Sequence, residues 1–424
     1  MKSMRGMTRT RRLRIAALLG TIGVFASVGA APPAGAASGA KAPSAPNSSC
    51  YPSGGSFHCY AIGWDNTHGP YDGIGVTRND INISGIAAGS NCAGVPGSGW
   101  SISGGVAYQS QWITLAGAQG QDWEELGTGH RCDYENFWYW GYGLNGAWYP
   151  LGTENQSYIG PNAQHRFSIY RTGNTWHYEI DNTVMGATAD WGTTTGTSIQ
   201  FGLESWDAGA STTGQPYSDI SYLSSGTSHA ISGRQGTTID PWMCGQWSSD
   251  TEWWAGEGAG CGYKSSSVAT SADAQAAPAP AAAAQAALPL SGTARIGGGL
   301  TSSQLVTSCG TNARTATDQW GQATSVLRAY GSSAKSVTDW KTRYLGKTGK
   351  TLDSSQVDAA GPVAVCVIAG DYKIPTPPPA QGSTTPTPTF DLAVVTVDSH
   401  GTVKPFAYGN ATTLAGLLGT APAQ

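Results

Sequence analysis

Apolar and polar residues alternate in short runs over most of the first two-thirds of the chain, and clusters of Gly, Asn and Ser separate the runs. A period of two is the mark of a half-buried strand. Arg166–Arg171 (RFSIYR) and Thr175–Asp181 (TWHYEID) read as two strands joined by the hairpin signal Thr-Gly-Asn. In Ser198–Trp206 (SIQFGLESW), Ile199, Phe201 and Leu203 fall on one face, with Gln200, Gly202, Glu204 and Trp206 on the other. Tyr134–Gly143 (YENFWYWGYG) places Tyr134, Asn136, Trp138, Trp140 and Tyr142 on one side and Glu135, Phe137 and Tyr139 on the other. Such a strand can build a core with one face and a substrate platform with the other. The whole region, residues 50–264, is most economically a two-sheet antiparallel β-sandwich.

The pattern changes at residues 265–291, where Ala, Pro and Ser take over and aromatic residues vanish, as in a linker. The remainder, 292–424, reads as a small α+β accessory domain: the mature fold is mainly β, a sandwich followed by this smaller unit. Residues 316–331 (ATDQWGQATSVLRAYG) and 334–346 (AKSVTDWKTRYLG) have helical spacing, whereas 362–374 and 390–409 read as strands around a Pro-rich loop at 375–388. Aromatic content separates the two parts, for 14 of the 16 tryptophans precede the linker and only Trp320 and Trp340 follow it.

Composition narrows the setting. Lys2, Arg5, Arg9, Arg11, Arg12 and Arg14 precede the apolar run Ile15–Ala30 and the small-residue stretch Ala34-Gly35-Ala36, so residues 1–36 read as a secretory signal peptide and the product as secreted and extracellular. Paired arginines in TRRLRI match the twin-arginine pattern only loosely. Without those six bases, 17 of the 23 Lys+Arg face 27 Asp+Glu, a formal charge of −10, which argues against nucleic acid as a partner. No second apolar run is long enough for a membrane span. Export makes disulfides the default for the eight cysteines, and proximity suggests Cys50–Cys59, Cys92–Cys132, Cys244–Cys261 and Cys309–Cys366 among 105 connectivities. With no CxxC pair, no HExxH motif and scattered histidines, neither a metal site nor a cofactor is expected.

Carboxylates are the remaining candidates for chemistry. There is no G-x-S-x-G elbow, and oxidised cysteines are not nucleophiles. In Asp122–Gly127 (DWEELG), alternation puts Gln121, Trp123, Glu125 and Gly127 on one face and Asp122, Glu124 and Leu126 on the other. Glu125 thus shares its face with an aromatic and a glycine, as Glu204 does with Gly202 and Trp206, both suited to a groove; Glu124 is expected to be a solvent-facing or turn-supporting acid.

His58–Ile83, WEELGTG, FWYWGYG and IQFGLES together resemble the neprosin domain in order and spacing. WEELGTG is similar to the family's first catalytic stretch, a Glu-x-Gly, and to a Gln-x-Gly of the fungal glutamic peptidases; IQFGLES is similar to the strand carrying the second catalytic glutamate. The resemblance covers about half of the mature chain, roughly Tyr60–Leu223. It implies a concanavalin-like jelly roll and a glutamic peptidase with Glu125 and Glu204 as the catalytic pair, acting on a protein or peptide substrate, the plant members cleaving at proline. Trp123, Gln200, Trp206, Trp138 and Trp140 would line the substrate site. Residues 37–49 are too few for the N-terminal propeptide of plant members, so control by such a segment is not expected. The fungal catalytic glutamate on the aromatic strand is replaced here by Trp138-Tyr139-Trp140. The alternatives are a non-catalytic sandwich that binds a polysaccharide or cell surface, with Trp242, Trp247, Trp253 and Trp254 as a sugar platform, and a glycoside hydrolase, which would need the Glu-x-Asp-x-x-Glu pattern that the chain lacks.

Overall fold

The computed structural model describes residues 58–79, 106–115, 122–131, 134–155, 164–188, 195–205, 212–231, 236–240, 243–257, 261, 287–317, 320–377 and 388–422. The signal stretch, the bulk of the Ala/Pro/Ser-rich segment and Trp206 lie outside them. The strands before that segment are β1 (Cys59–Asp65), β2 (Gly73–Asn79), β3 (Val106–Leu115), β4 (Trp123–Arg131), β5 (Tyr134–Leu144), β6 (Ala147–Asn155), β7 (Gln164–Thr172), β8 (Thr175–Ile180), β9 (Thr183–Thr188), β10 (Gly196–Ser205), β11 (Thr212–Ser224), β12 (Thr227–Ala230), β13 (Gly236–Ile239), β14 (Met243–Trp247) and β15 (Trp253–Glu257). After it come β16 (Leu290–Arg295), α1 (Ser302–Thr307), α2 (Ala313–Thr317), β17 (Gly321–Ser333), α3 (Ala334–Gly346), β18 (Pro362–Tyr372), β19 (Leu392–Asp398), β20 (Val403–Gly409) and α4 (Ala415–Leu418).

Two sheets form a mainly β sandwich. The larger has the order β13-β1-β10-β3-β4-β5-β6-β20-β19-β18-β17-β16, and the smaller runs β14-β15-β11-β2-β7-β8-β9, with β12 against β11. All pairings are antiparallel except β16 with β17. The expected hairpin is β7 and β8, with Gly173 at φ +61° in the turn. As the alternation requires, Ile199, Phe201 and Leu203 of β10 are fully buried between the sheets, against a layer that includes Val76, Phe167, Ile169 and Tyr217.

The strands after residue 287 do not stand apart from the sandwich. β20 joins the edge of β6 through Tyr408 and Trp148, so one sheet runs through both halves of the chain. This pairing covers an edge whose free N–H and C=O groups would otherwise face water. The larger sheet buries both of its faces. Its inner face packs on the smaller sheet, and beyond β6 the same face packs on Val337, Trp340 and Leu345 of α3. Its outer face gathers Tyr60, Ile62, Trp123, Phe137, Tyr139 and Trp148 with Trp320, Tyr372, Ile374 and Tyr408 from the later strands.

The helix expected at 316–331 is a strand. Ala323, Val326 and Ala329 all lie in the outer-face cluster, three residues apart, because β17 carries a register shift between Ala323 and Ser325 and another between Val326 and Arg328. Each extra residue delays the alternation by one position, and the spacing then imitates a helix. The helix at 334–346 is present as α3, capped by the Ser333 side chain. Cys244–Cys261 and Cys309–Cys366 are disulfides as expected, and Cys59 is also disulfide-bonded; the other three cysteines lie outside the described residues. Among the described residues no helix is long and apolar enough to cross a membrane.

Candidate glutamate site on the outer face

Alternation along β4 separates its two adjacent glutamates. Glu125, with Trp123, Gly127 and Gly129, faces outward, and Glu124, with Leu126 and Thr128, faces the smaller sheet. Both carboxylates are fully buried. Glu125 accepts hydrogen bonds from Trp123 Nε1 to Oε2 (3.0 Å) and from Tyr139 Oη to Oε1 (2.8 Å). Two glycines make room for these donors. A Cβ on Gly127 would lie 2.3 Å from Tyr139 Oη, and one on Gly143 would lie 2.1 Å from the Trp123 ring.

Glu204 is held differently. Its cross-strand neighbour on β1 is Tyr60. Oε1 meets His58 Nε2 at 2.5 Å, and Oε2 accepts from the backbone N–H of Thr376 at 3.2 Å. Burial, and then the charge of Lys373, pushes His58 down to about 3, so its ring is neutral. The Tyr60 hydroxyl is pushed well above its ordinary value by burial first and the Glu204 charge next, with Asp240 and Glu125 adding to the same direction against a hydrogen bond to Thr376. Tyr60 therefore stays protonated and sits in the field of both outward glutamates. Its hydroxyl lies 3.1 Å from Thr376 Oγ1.

Backbone register fixes how the two glutamates relate. Glu125 pairs with Trp112 and Trp112 with Gln200, while Glu204 pairs with Tyr108 and Tyr108 with Gly129. Glu125 and Glu204 thus share a face but lie two strands and four residues apart, roughly 16 Å between Cα atoms on a flat sheet. Between their rows runs a row of small residues, Gly202, Ser110 and Gly127. Each carboxylate is satisfied by its own donors, and the Tyr139 ring lies over Gly127 between them. Gln200, buried and in the row of Glu125, also looks onto this face.

Two expectations need correction. Trp138 and Trp140 lie on the inner face, because Leu126, not Glu125, is opposite Trp140; Trp138 packs against His165 and Phe167, on the side of the sheet away from Glu125. The aromatic residues that do reach Glu125 are Trp123 and Tyr139. Glu124 is not solvent-facing either: it bonds to Tyr178, and Thr188 Oγ1 donates to its Oε1 at 3.3 Å. Burial pushes its carboxyl up to about 8, against those hydrogen bonds and Lys350. Tyr178 Oη also reaches Gly141 O at 3.0 Å. One hydroxyl proton serves one acceptor, so a protonated Glu124 completes the chain to Gly141.

Sequence reasoning missed His58, Tyr60 and Thr376. They are 146, 144 and 172 positions from Glu204 in sequence, and only strand pairing brings them to it. Tyr139 was visible as a residue on the face of β5 opposite Trp138, but its register against Gly127 was not.

No protein-family model matches the chain, and no curated protein matches it. Among solved structures, a scytalido-glutamic peptidase bound to a transition state analog inhibitor aligns with 47% of this chain and 97% of its own, at 14% identity and a TM-score of 0.30. A Bacillus licheniformis beta-glucanase aligns with 48% of this chain and 76% of its own, at 11% identity and a TM-score of 0.24. A carbohydrate-binding module from Bacillus subtilis aligns with 39% of this chain and 83% of its own, at 14% identity and a TM-score of 0.23.

Proposed function

We propose that the protein is a secreted hydrolase of the glutamic peptidase type, using Glu125 and Glu204 on a protein or peptide substrate in acid. The observation that carries this reading is the outer face itself: two buried glutamates, each held by donors, flank a floor of small residues on one sheet. Glu204, with Tyr60 beside it, takes the proton of an attacking water and returns it to the leaving amine, and Glu125, two strands and four residues away, holds the substrate chain. Tyr60, protonated at any working pH, is placed to donate to the developing oxyanion once its bond to Thr376 is released. Positioned acid–base groups contribute about 10²–10⁴-fold, so Glu204→Gln should lower casein turnover at acidic pH by at least about 100-fold, and Glu125→Gln should lower it through weaker substrate binding. Circular dichroism would show the sandwich intact. A variant that keeps its turnover removes that glutamate from the mechanism, and polysaccharide retention with no turnover in the wild type assigns the face to binding instead.

A further inference from the structure

The outer face of the glutamates is occupied by the chain's own later residues. β18 ends at Tyr372, whose register partner Gly321 is the first of β17, and Lys373 N–H makes one more bond, to Trp320 O (2.7 Å). From there the segment crosses to the sandwich with no strand partner, yet residues 372–376 are all buried. Ile374 is fully buried among the aromatic residues of the outer face. Thr376 brings its amide to Glu204 and its hydroxyl to Tyr60. Lys373, bonded to Asp371 (2.8 Å), directs its charge at His58. On the Glu125 side, the Trp320 ring packs edge-on to Phe137 (5.6 Å) and Tyr139 (5.5 Å), the second of which holds that carboxylate.

The segment meets the face through one main-chain N–H, one hydroxyl and one apolar side chain. A buried main-chain N–H needs an acceptor, and here a carboxylate of a distant strand provides it. The nitrogen concerned belongs to the Pro375–Thr376 peptide bond, so the segment presents a main-chain peptide group to Glu204 and an apolar side chain to the aromatic floor. We propose that Lys373–Thr376 is an in-cis ligand that holds the glutamate face closed, and that the ligand it stands for in trans is an extended polypeptide. The proposal rests on the reading of this face as the functional one, but not on its being catalytic.

The test compares the full-length protein with the Ile374→Ala/Thr376→Pro variant, which removes the apolar anchor and the N–H donor together. Carboxyls are labelled at pH 5 with a water-soluble carbodiimide and glycinamide, and the sites are read by mass spectrometry. Labelling of Glu204 is expected to rise at least tenfold in the variant, while Glu124, on the inner face, stays protected. An acetylated peptide of sequence DYKIPTPP added in trans should restore protection, and a scrambled peptide should not. Unchanged labelling of Glu204, or labelling of Glu124 that rises with it, overturns the proposal, since the segment would then be ordinary structural support. Milder replacement by Thr376→Val keeps the N–H and should leave Glu204 protected; if it does not, the amide contact is not what closes the face. Casein turnover is followed in parallel and should rise in the double variant. Deprotection reversed by the peptide but without turnover sustains the in-cis ligand and removes the peptidase reading, so the two fail separately.

Discussion

Gly127 shows how one residue can control a carboxylate that it never touches. Its missing side chain leaves the space in which the Tyr139 ring lies, and that ring delivers its hydroxyl to Glu125. A methyl group 2.3 Å from Tyr139 Oη forces the ring away. A hydrogen bond to a charged group contributes about 1.5–3 kcal/mol, so Gly127→Ala should cost about tenfold or more in kcat/KM. Tyr139→Phe should produce a similar loss without the steric displacement, and agreement between the two variants would check the assignment. Glu124 next door acts on stability rather than turnover. Its carboxyl keeps a proton up to about 8 in the fold, against an ordinary 4.5. Between those values the folded state binds a proton that the unfolded chain has released, so this contribution is full below about 4.5 and is lost as the pH rises through 8. Glu124→Gln should therefore flatten the fall in urea midpoint between pH 5 and pH 8. An unchanged slope would place the proton elsewhere.

At the scale of elements, what could be read from the chain was what alternation alone determines. Which of Glu124 and Glu125 faces outward follows from a period of two within β4, and so does the apolar row of β10. The β7–β8 hairpin was legible because its turn residues lie next to its strands. What failed was whatever depends on a second strand. β17 has the spacing of a helix because two bulges, visible only as shifts against β18, change the spacing of its buried residues from two to three. That Trp138 and Trp140 face away from Glu125 depends on the register between β4 and β5, which neither strand carries alone. α3 shows the same dependence on partners. Its Lys341 is wholly buried, and its ammonium is satisfied by Asp358 (2.9 Å), Thr396 (3.0 Å) and the Gln356 carbonyl (2.9 Å), all from segments beyond the helix. Nothing within the helical pattern distinguishes it from a solvent-facing lysine.

Over the whole molecule, the later strands complete the sandwich in two ways that the composition break near residue 265 does not suggest. β20 covers the edge of β6, and Trp320, Tyr372, Ile374 and Tyr408 cover the aromatic outer face. Both surfaces are hazardous if exposed: an open edge recruits other strands, and a contiguous apolar patch recruits other apolar surfaces. A chain ending before Leu288 would uncover Tyr60, Ile62, Trp123, Phe137, Tyr139 and Trp148 together, and would strip Thr376 from Glu204. It should elute as oligomers on size exclusion and bind a hydrophobic dye strongly, whereas the full-length protein should do neither. If the shortened chain instead stays monomeric and dye-free, the outer face can close without residues 288–422, and the burial of Glu125 and Glu204 belongs to the sandwich by itself.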